Sequence, residues 1–151
     1  MDELTTTTAV LLIAHGSRHE PANDELRELA ERIAARTGIT IVEPCFLELA
    51  EPDIAAGGAR CVQRGAGRVL LVPYFLSAGV HLLRDLTAAR DALARRFPGV
   101  AFRLGPPLGP HPLLDELVSV RISELDRGEA KPIAASAEAM HNRYAPLDRP
   151  S

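Results

Sequence analysis

The sequence predicts one α/β domain, with a four-stranded, mainly parallel sheet and helices on both of its faces. Short apolar runs alternate along the chain with longer segments of helical periodicity, in the order βαβαβαβα. Every connection between two predicted strands is long enough for a crossover helix, as parallel strands require. The 151 residues, 46% of them hydrophobic, are enough for one domain with a buried core. We place this domain at 1–127.

The first strand and the first helix are the clearest elements. The run Ala9–Ala14 is continuously apolar, which is typical of a strand buried on both faces. The helix that follows begins at Pro21 or Asn23 and ends at Gly38, where glycine is a common terminator. Its apolar side chains recur at helical spacing, and they are Leu26, Leu29 and Ile33.

The second strand and helix carry weaker signals. The strand opens at Ile39 and runs towards Leu47, and Pro44 within it predicts an edge strand or a bend. The second helix starts in the segment 51–53, where a proline fits the first helical position. It ends at the segment 65–67. Two internal glycines weaken this helix by about 1 kcal/mol each relative to alanine, and they are Gly57 and Gly58.

The third and fourth units complete the alternating pattern. The third strand spans Arg68–Phe75, and helical spacing then runs from Leu82 to Phe97. Because Asp85 could act as a fresh N-cap, we expect the turn around His81 to be separate from this helix. The fourth strand is 100–104. The last helix runs from about His111 to Leu125, with one apolar stripe formed by Leu114, Val118, Ile122 and Leu125.

The segment from Gly128 to Ser151 differs from the rest of the chain. Three prolines interrupt it, and it shows no clear hydrophobic period. We expect a flexible C-terminal tail, with one helical turn near 134–140.

Composition excludes several classes of function. A net charge of −3 and 4% aromatic residues argue against binding to nucleic acid. There is no polybasic anchor, no apolar run near the roughly 20 residues of a membrane span, and no signal-peptide pattern at the start. Cys45 and Cys61 are too few and too far apart for a disulfide framework, so we expect reduced thiols in a cytoplasmic protein.

Histidines concentrate where the predicted strands end, which is where parallel α/β sheets bind ligands. Imidazole suits divalent cobalt, nickel, iron and zinc. His15 and His81 follow different strands and can converge, and Glu48 follows a third. An open site of this kind would hold a metal ion transiently. Each residue could instead be an ordinary loop hydrogen-bonder. The four histidines in or beside these loops are His15, His19, His81 and His111.

The same loops contain residues that suit a larger ligand. The small residues Ser77, Ala78 and Gly79 let a planar molecule approach the backbone, or simply form a turn. Arg18 and Arg84 flank the two histidines, and they could pair with substrate carboxylates or with surface carboxylates of the protein.

Three motifs in order resemble the CbiX/SirB group of sirohydrochlorin chelatases, from about Thr8 to Asp126. The first is Ile13-Ala14-His15-Gly16-Ser17-Arg18. The second is Phe46-Leu47-Glu48-Leu49-Ala50-Glu51-Pro52. The third is Val72-Pro73-Tyr74-Phe75-Leu76-Ser77-Ala78-Gly79-Val80-His81.

The resemblance implies a chelatase-like fold and insertion of a divalent metal into sirohydrochlorin, on a route to cobalamin or sirohaem. It implies that His15 and His81 bind the metal and that Glu48 acts with them in catalysis. We expect Ser17, Arg18, Arg84 and the loop 77–79 to bind the tetrapyrrole. Co²⁺ is the first expectation, with Fe²⁺ or Ni²⁺ as alternatives. The metal is a substrate, and no prosthetic group is expected. Long members contain two such units, whereas short members are homodimers whose cleft is completed across the pair, so we expect a homodimer.

Departures from the family pattern and other functional classes leave alternatives. Cys45 stands where a small residue is common, and Thr87 replaces a usual proline. A non-catalytic metal or tetrapyrrole carrier would use the same residues. Histidine phosphatases need an arginine where this chain has Ala14. The chain also contains neither a P-loop nor a GxSxG hydrolase motif.

Overall fold

Four strands and four helices alternate along the chain in the computed structural model, which describes residues 6–129. This order confirms the predicted βαβαβαβα pattern. The predicted helical turn near 134–140 and most of the predicted tail lie outside the described residues. The elements are β1 (Thr8–Ala14), α1 (Glu20–Thr37), β2 (Ile41–Phe46), α2 (Ile54–Gln63), β3 (Arg68–Pro73), α3 (Val80–Arg96), β4 (Ala101–Leu104) and α4 (Pro112–Asp126).

The four strands form one fully parallel sheet in the order β2-β1-β3-β4. Strand β1 is central, and its Ala9 is level with Ile41 on one side and with Val69 on the other. Strand β2 lies at an edge, which confirms one of the two interpretations of Pro44. Phe46, two residues further along, donates its N–H away from β1 to the carbonyl of Pro52 at 2.9 Å. Because every second residue of a strand directs its backbone nitrogen to the same side, the nitrogen of Pro44 also faces away from β1. No hydrogen-bond donor is needed on that open edge of the sheet.

Helices cover both faces of the sheet, as predicted. Alternate residues of β1 enter two separate cores because successive side chains of a strand point to opposite faces. Leu11 and Ile13 belong to the core beneath α2 and α3, whereas Val10 and Leu12 belong to the core beneath α1. The continuous apolar run of the first strand is thus explained by burial on both sides.

Some predicted boundaries differ from the observed ones. The expected separate turn at His81 is wrong, because α3 is continuous from Val80 and the N–H of Leu83 already donates to Gly79 O at 3.0 Å. Gly79 occupies the N-cap with extended backbone and no side-chain cap, so Asp85 is not needed to start the helix. At α2 the Asp53 side chain does cap, accepting from Ala56 N at 2.8 Å.

Helix α4 has the predicted length, but none of its residues is buried. Most of its apolar side chains are exposed although the helix carries the predicted stripe, of which Leu114 alone is partly buried. Within residues 6–129, no helix is long and apolar enough to cross a membrane. The large hydrophobic residues that α4 exposes are Leu113, Leu117, Val118, Val120, Ile122 and Leu125.

Candidate active site

The strand order places a topological switch point, where a crevice is expected, between β1 and β3 at the carboxyl edge of the sheet. These two strands are neighbours, yet the chain leaves β1 for α1 on one face and leaves β3 for α3 on the other. Such a change of direction opens a cleft in which parallel α/β proteins bind ligands. His15 is the first residue after β1, and His81 lies in the first turn of α3. The topology therefore places both predicted metal ligands at the switch point, on opposite sides of it.

His15 is exposed, and the ring of Phe75 supports it. The two ring centroids are 4.8 Å apart, with the rings at 64° in an edge-to-face contact. Phe75 itself is only 6% exposed, so it is a fixed surface for the imidazole to pack against. The backbone beyond β3 continues the pairing with β1, since Tyr74 N donates to Ile13 O at 2.7 Å. His15 therefore projects from a rigid base.

The loop that carries Glu48 is bonded to the loop that carries His15. Leu47 N donates to Ala14 O at 2.9 Å, and Glu48 N donates to His15 O at 3.1 Å. Gly16, the residue after His15, has a φ of +94°, and a Cβ on it would overlap the carbonyl oxygen of Glu48. Only glycine combines this conformation with so close an approach. The first and second motifs therefore pack directly against each other.

The predicted trio of His15, His81 and Glu48 does not form a compact ligand set in one chain. Glu48 is exposed. Across residues 6–129, no three side chains among His, Cys, Asp and Glu are grouped so that they could hold a metal ion. The arrangement offers separate imidazoles on an open edge.

The predicted ligand-binding residues follow β1 and β3, the two strands on either side of the switch point. The segment 77–79 leads into α3, and Gly79 leaves the first N–H groups of that helix without a side-chain cap. Arg18 and Arg84 are exposed on either side and form no ion pair with another described residue. Ser17 has an internal role, because its Oγ accepts from His19 N at 3.0 Å.

Two further histidines lie at helix N-caps, and the two cysteines are buried. Nδ1 of His111 accepts from Leu113 N at 3.0 Å, so this histidine caps α4. His19 occupies the N-cap of α1, and its Nε2 is buried without a hydrogen-bond partner. Both cysteines are free and buried, and burial raises the pKa of both thiols, that of Cys61 to about 12. Neutral thiols of this kind are poor metal ligands.

Sequence reasoning gave no structural role to three residues that pack around the loop of His15: Gly16, Asn23 and Phe75. Gly16 stood only within a motif, Phe75 within a motif and at the end of a predicted strand, and Asn23 only at a possible helix start. One signal was present, because Asn23 lies three residues before Leu26 and seven before Ala30, on the face of α1 that is buried. A polar residue on an apolar helix face indicates a specific hydrogen-bonding partner.

The fold and the site together define an open parallel α/β protein of chelatase-like architecture, with imidazoles at its topological switch point. Comparison with known proteins agrees. The family model of CbiX matches residues 9–125. A chloroplastic sirohydrochlorin ferrochelatase of Arabidopsis thaliana is 40% identical over 113 residues, covering 75% of this chain and 50% of the plant protein.

Solved structures show the same relationship. The sirohydrochlorin chelatase SirB of Bacillus subtilis subspecies spizizenii, in complex with cobalt, superposes with a TM-score of 0.72 at 30% identity, covering 79% of this chain and 51% of SirB. A protein from Marinobacter aquaeolei VT8, described as a CbiX protein of cobalamin (vitamin B12) biosynthesis, superposes with a TM-score of 0.62 at 32% sequence identity. The match covers 80% of this chain and 98% of that protein.

The chain belongs to the CbiX family, which confirms the resemblance seen in its three motifs. It spans about half the length of the first curated relatives that it matches.

Proposed function

We propose that this protein inserts a divalent metal ion into sirohydrochlorin, in the cytoplasm, as a step towards cobalamin or sirohaem. The observation that carries the proposal is the position of His15 and His81 on either side of the β1–β3 switch point, within the motifs of a chelatase family. Both ferrochelatases and cobaltochelatases occur among the similar proteins. We propose Co²⁺ as the first metal to test, with Fe²⁺ and Ni²⁺ beside it.

Metal insertion exchanges two pyrrole protons for one metal ion. The free macrocycle and M²⁺ give the metallated macrocycle and two H⁺, with no change in oxidation state. His15 and His81 bind the incoming ion through neutral imidazole nitrogens and release it to the ring. The two pyrrole protons pass to acceptors beside the ring, and the imidazoles vacated by the metal and the exposed carboxylate of Glu48 are the proposed bases.

The macrocycle is held beside these histidines. Sirohydrochlorin carries several carboxylates, and Arg18 and Arg84 are exposed cations on the same edge. Ser17 and the small residues of 77–79 border the crevice with little bulk, so a flat ring can approach the backbone. Since the net charge is −3, attraction of an anionic substrate depends on these local arginines.

The active form is proposed to be a homodimer. Helix α4 exposes a broad apolar surface, with Leu113 at 67% and Leu125 at 69%, and it has no buried residue. A second copy could cover that surface.

The test is an anaerobic absorbance assay with sirohydrochlorin and Co²⁺, Fe²⁺ or Ni²⁺. His15→Ala and His81→Ala should remove most of the insertion activity while the far-UV spectrum of the fold is retained. His111→Asn is the matched control, because asparagine is also a good N-cap and only an imidazole outside the crevice is lost. Wild-type turnover in both alanine variants would refute the assignment.

The assay also tests the carrier alternative, which uses the same residues. A carrier would bind metal or tetrapyrrole without accelerating insertion above the protein-free rate. Acceleration that depends on His15 and His81 therefore excludes it.

A further inference from the structure

Asn23 is a buried polar residue on the face of α1 that packs against the sheet. It is 2% exposed, and it lies on the same helix face as Leu26 and Ala30. Its side chain makes two hydrogen bonds to one backbone unit outside the helix. Oδ1 accepts from Ser17 N at 2.9 Å, and Nδ2 donates to Ser17 O at 2.8 Å.

This pair of bonds requires an amide. The backbone of Ser17 presents one hydrogen-bond donor, its N–H, and one acceptor, its carbonyl. Only a side chain with both an N–H and a carbonyl can bond to the two together. Because both bonds end on the same residue, they fix the direction of the loop as well as its distance from α1. An apolar residue would suit this face of the helix better, so the asparagine is explained by the loop that it binds.

The loop bound by Asn23 is the one that carries His15. Ser17 follows His15 by two residues, and Gly16 between them lies against the carbonyl of Glu48. On the other side of the loop, the backbone carbonyl of His15 accepts a hydrogen bond from Glu48 N. The loop is therefore held from two directions, by the second motif and by α1, while the imidazole rests edge-to-face on Phe75.

We infer that Asn23 is a positioning residue, which acts through Ser17 to hold the His15 imidazole against Phe75 in the orientation needed to deliver the metal. It touches neither metal nor macrocycle. The catalytic part of this inference rests on the proposed function. The structural part does not, because the contact between His15 and Phe75 can be observed without any turnover.

The direct readout is the nuclear magnetic resonance signal of the His15 ring protons, assigned by their loss in His15→Ala. An imidazole fixed 4.8 Å from the Phe75 centroid has ring-current-shifted protons. Asn23→Asp keeps the size of the side chain and the acceptor but loses the donor to Ser17 O, and it should move the His15 signals towards those of an unstructured histidine. Asn23→Ala removes both bonds without adding a charge, and it should have the same effect.

Activity is the second readout. Both variants should lower kcat about 10-fold or more, with KM for sirohydrochlorin within about twofold of wild type, because a misplaced reacting group slows the chemical step. Leu26→Ala is the matched control. It removes a buried side chain from the same helix face without touching the loop, so it should lower stability but leave the His15 shift and kcat unchanged.

Two results would overturn the inference. One is a retained ring-current shift in both Asn23 variants, and the other is an equal loss of shift and kcat in Leu26→Ala. Should the wild-type protein insert no metal at all, the proposed function fails, and the His15 signals alone decide the role of Asn23.

Discussion

Gly16 is the residue at which two loops of the crevice meet, and its replacement tests that contact. Gly16→Ala must place a side chain at a φ of +94° and against the Glu48 carbonyl. We expect a loss of about 2–5 kcal/mol in the free energy of unfolding, from the left-handed backbone and the overlap together. Urea denaturation measures this loss.

Gly38→Ala is the matched control for Gly16. Gly38 has a φ of +77°, but a Cβ there meets no atom within 4 Å. Gly38→Ala should lower the free energy of unfolding by only about 1–2 kcal/mol, which is the contribution of the left-handed backbone alone. If the two substitutions cost the same, the contact with Glu48 does not hold the loops together.

The buried thiol of Cys61 is expected to make the stability of the protein depend on pH in the alkaline range. Burial raises the pKa of its thiol from 9.0 to about 12, with the charge of Glu43 adding to the effect and those of Arg64 and Arg60 opposing it. Between pH 9 and pH 12 the unfolded chain loses the thiol proton while the folded chain keeps it. The unfolded state is favoured in this window, so stability falls as pH rises, by up to about 1.4 kcal/mol per pH unit from this group.

The measurement for Cys61 is urea unfolding under reducing conditions at pH 8, 9, 10 and 11, for wild type and for Cys61→Ala. Other groups titrate in both proteins, so only the difference between them reports the thiol. The wild type should lose stability relative to the variant as pH rises above 9. A constant difference across the range would show that this thiol ionises as readily in the folded state.

At this scale, the sequence indicated candidate site residues after the strands but not the residues that pack against them. His15 and His81 became candidates because each follows an apolar run, His15 directly and His81 after a short loop, which is a local signal. Phe75 and Asn23 act through contacts with residues that are distant in the chain or lie on another element. The helical pattern shows that Asn23 lies on the apolar face of α1, but its bonding to Ser17 and the contact of Phe75 with His15 depend on the tertiary packing.

Helix α2 shows that a residue which weakens an isolated element can be required by the packing of that element. A Cβ on Gly57 would lie 2.8 Å from the Cβ of Cys45 and 2.9 Å from Cδ1 of Leu11, and one on Gly58 would lie 2.6 Å from Leu93. The glycines let α2 approach the sheet and α3 closely. The sequence-based expectation counted only their cost to the helix.

Gly57→Ala should therefore destabilise the protein although alanine is the better helix former. Propensity favours alanine by about 1 kcal/mol, while the overlap costs about 1–3 kcal/mol and can exceed that gain. Thermal and urea denaturation measure the net change. The control is Ala55→Gly at an exposed position of the same helix, where propensity alone should cost about 1 kcal/mol. A stabilised Gly57→Ala protein would contradict the close packing.

For the molecule as a whole, the fold class was predictable and the order of the strands was not. Alternating elements and long connections are sufficient to indicate a parallel sheet with helices on both faces. The order β2-β1-β3-β4 depends on which strands pair across the core, and four similar apolar runs do not distinguish the possible pairings. The switch point between β1 and β3 is a consequence of that order, so the sequence could assign the candidate site to the carboxyl edge of the sheet but not to this pair of strands.

The exposed apolar surface of α4 provides a test of the proposed homodimer. Val118 is 58% exposed in the middle of the apolar surface, so it contributes little inside one chain. If a second copy covers this surface, Val118→Asp buries a charge at the interface and should weaken association more than about 100-fold. Sedimentation should show a dimer for wild type and a monomer for the variant, with unchanged far-UV spectra. Ser119→Asp, on the polar side of the same helix, should remain dimeric. A wild-type monomer at high micromolar concentration, or a dimeric Val118→Asp, would refute the homodimer through α4.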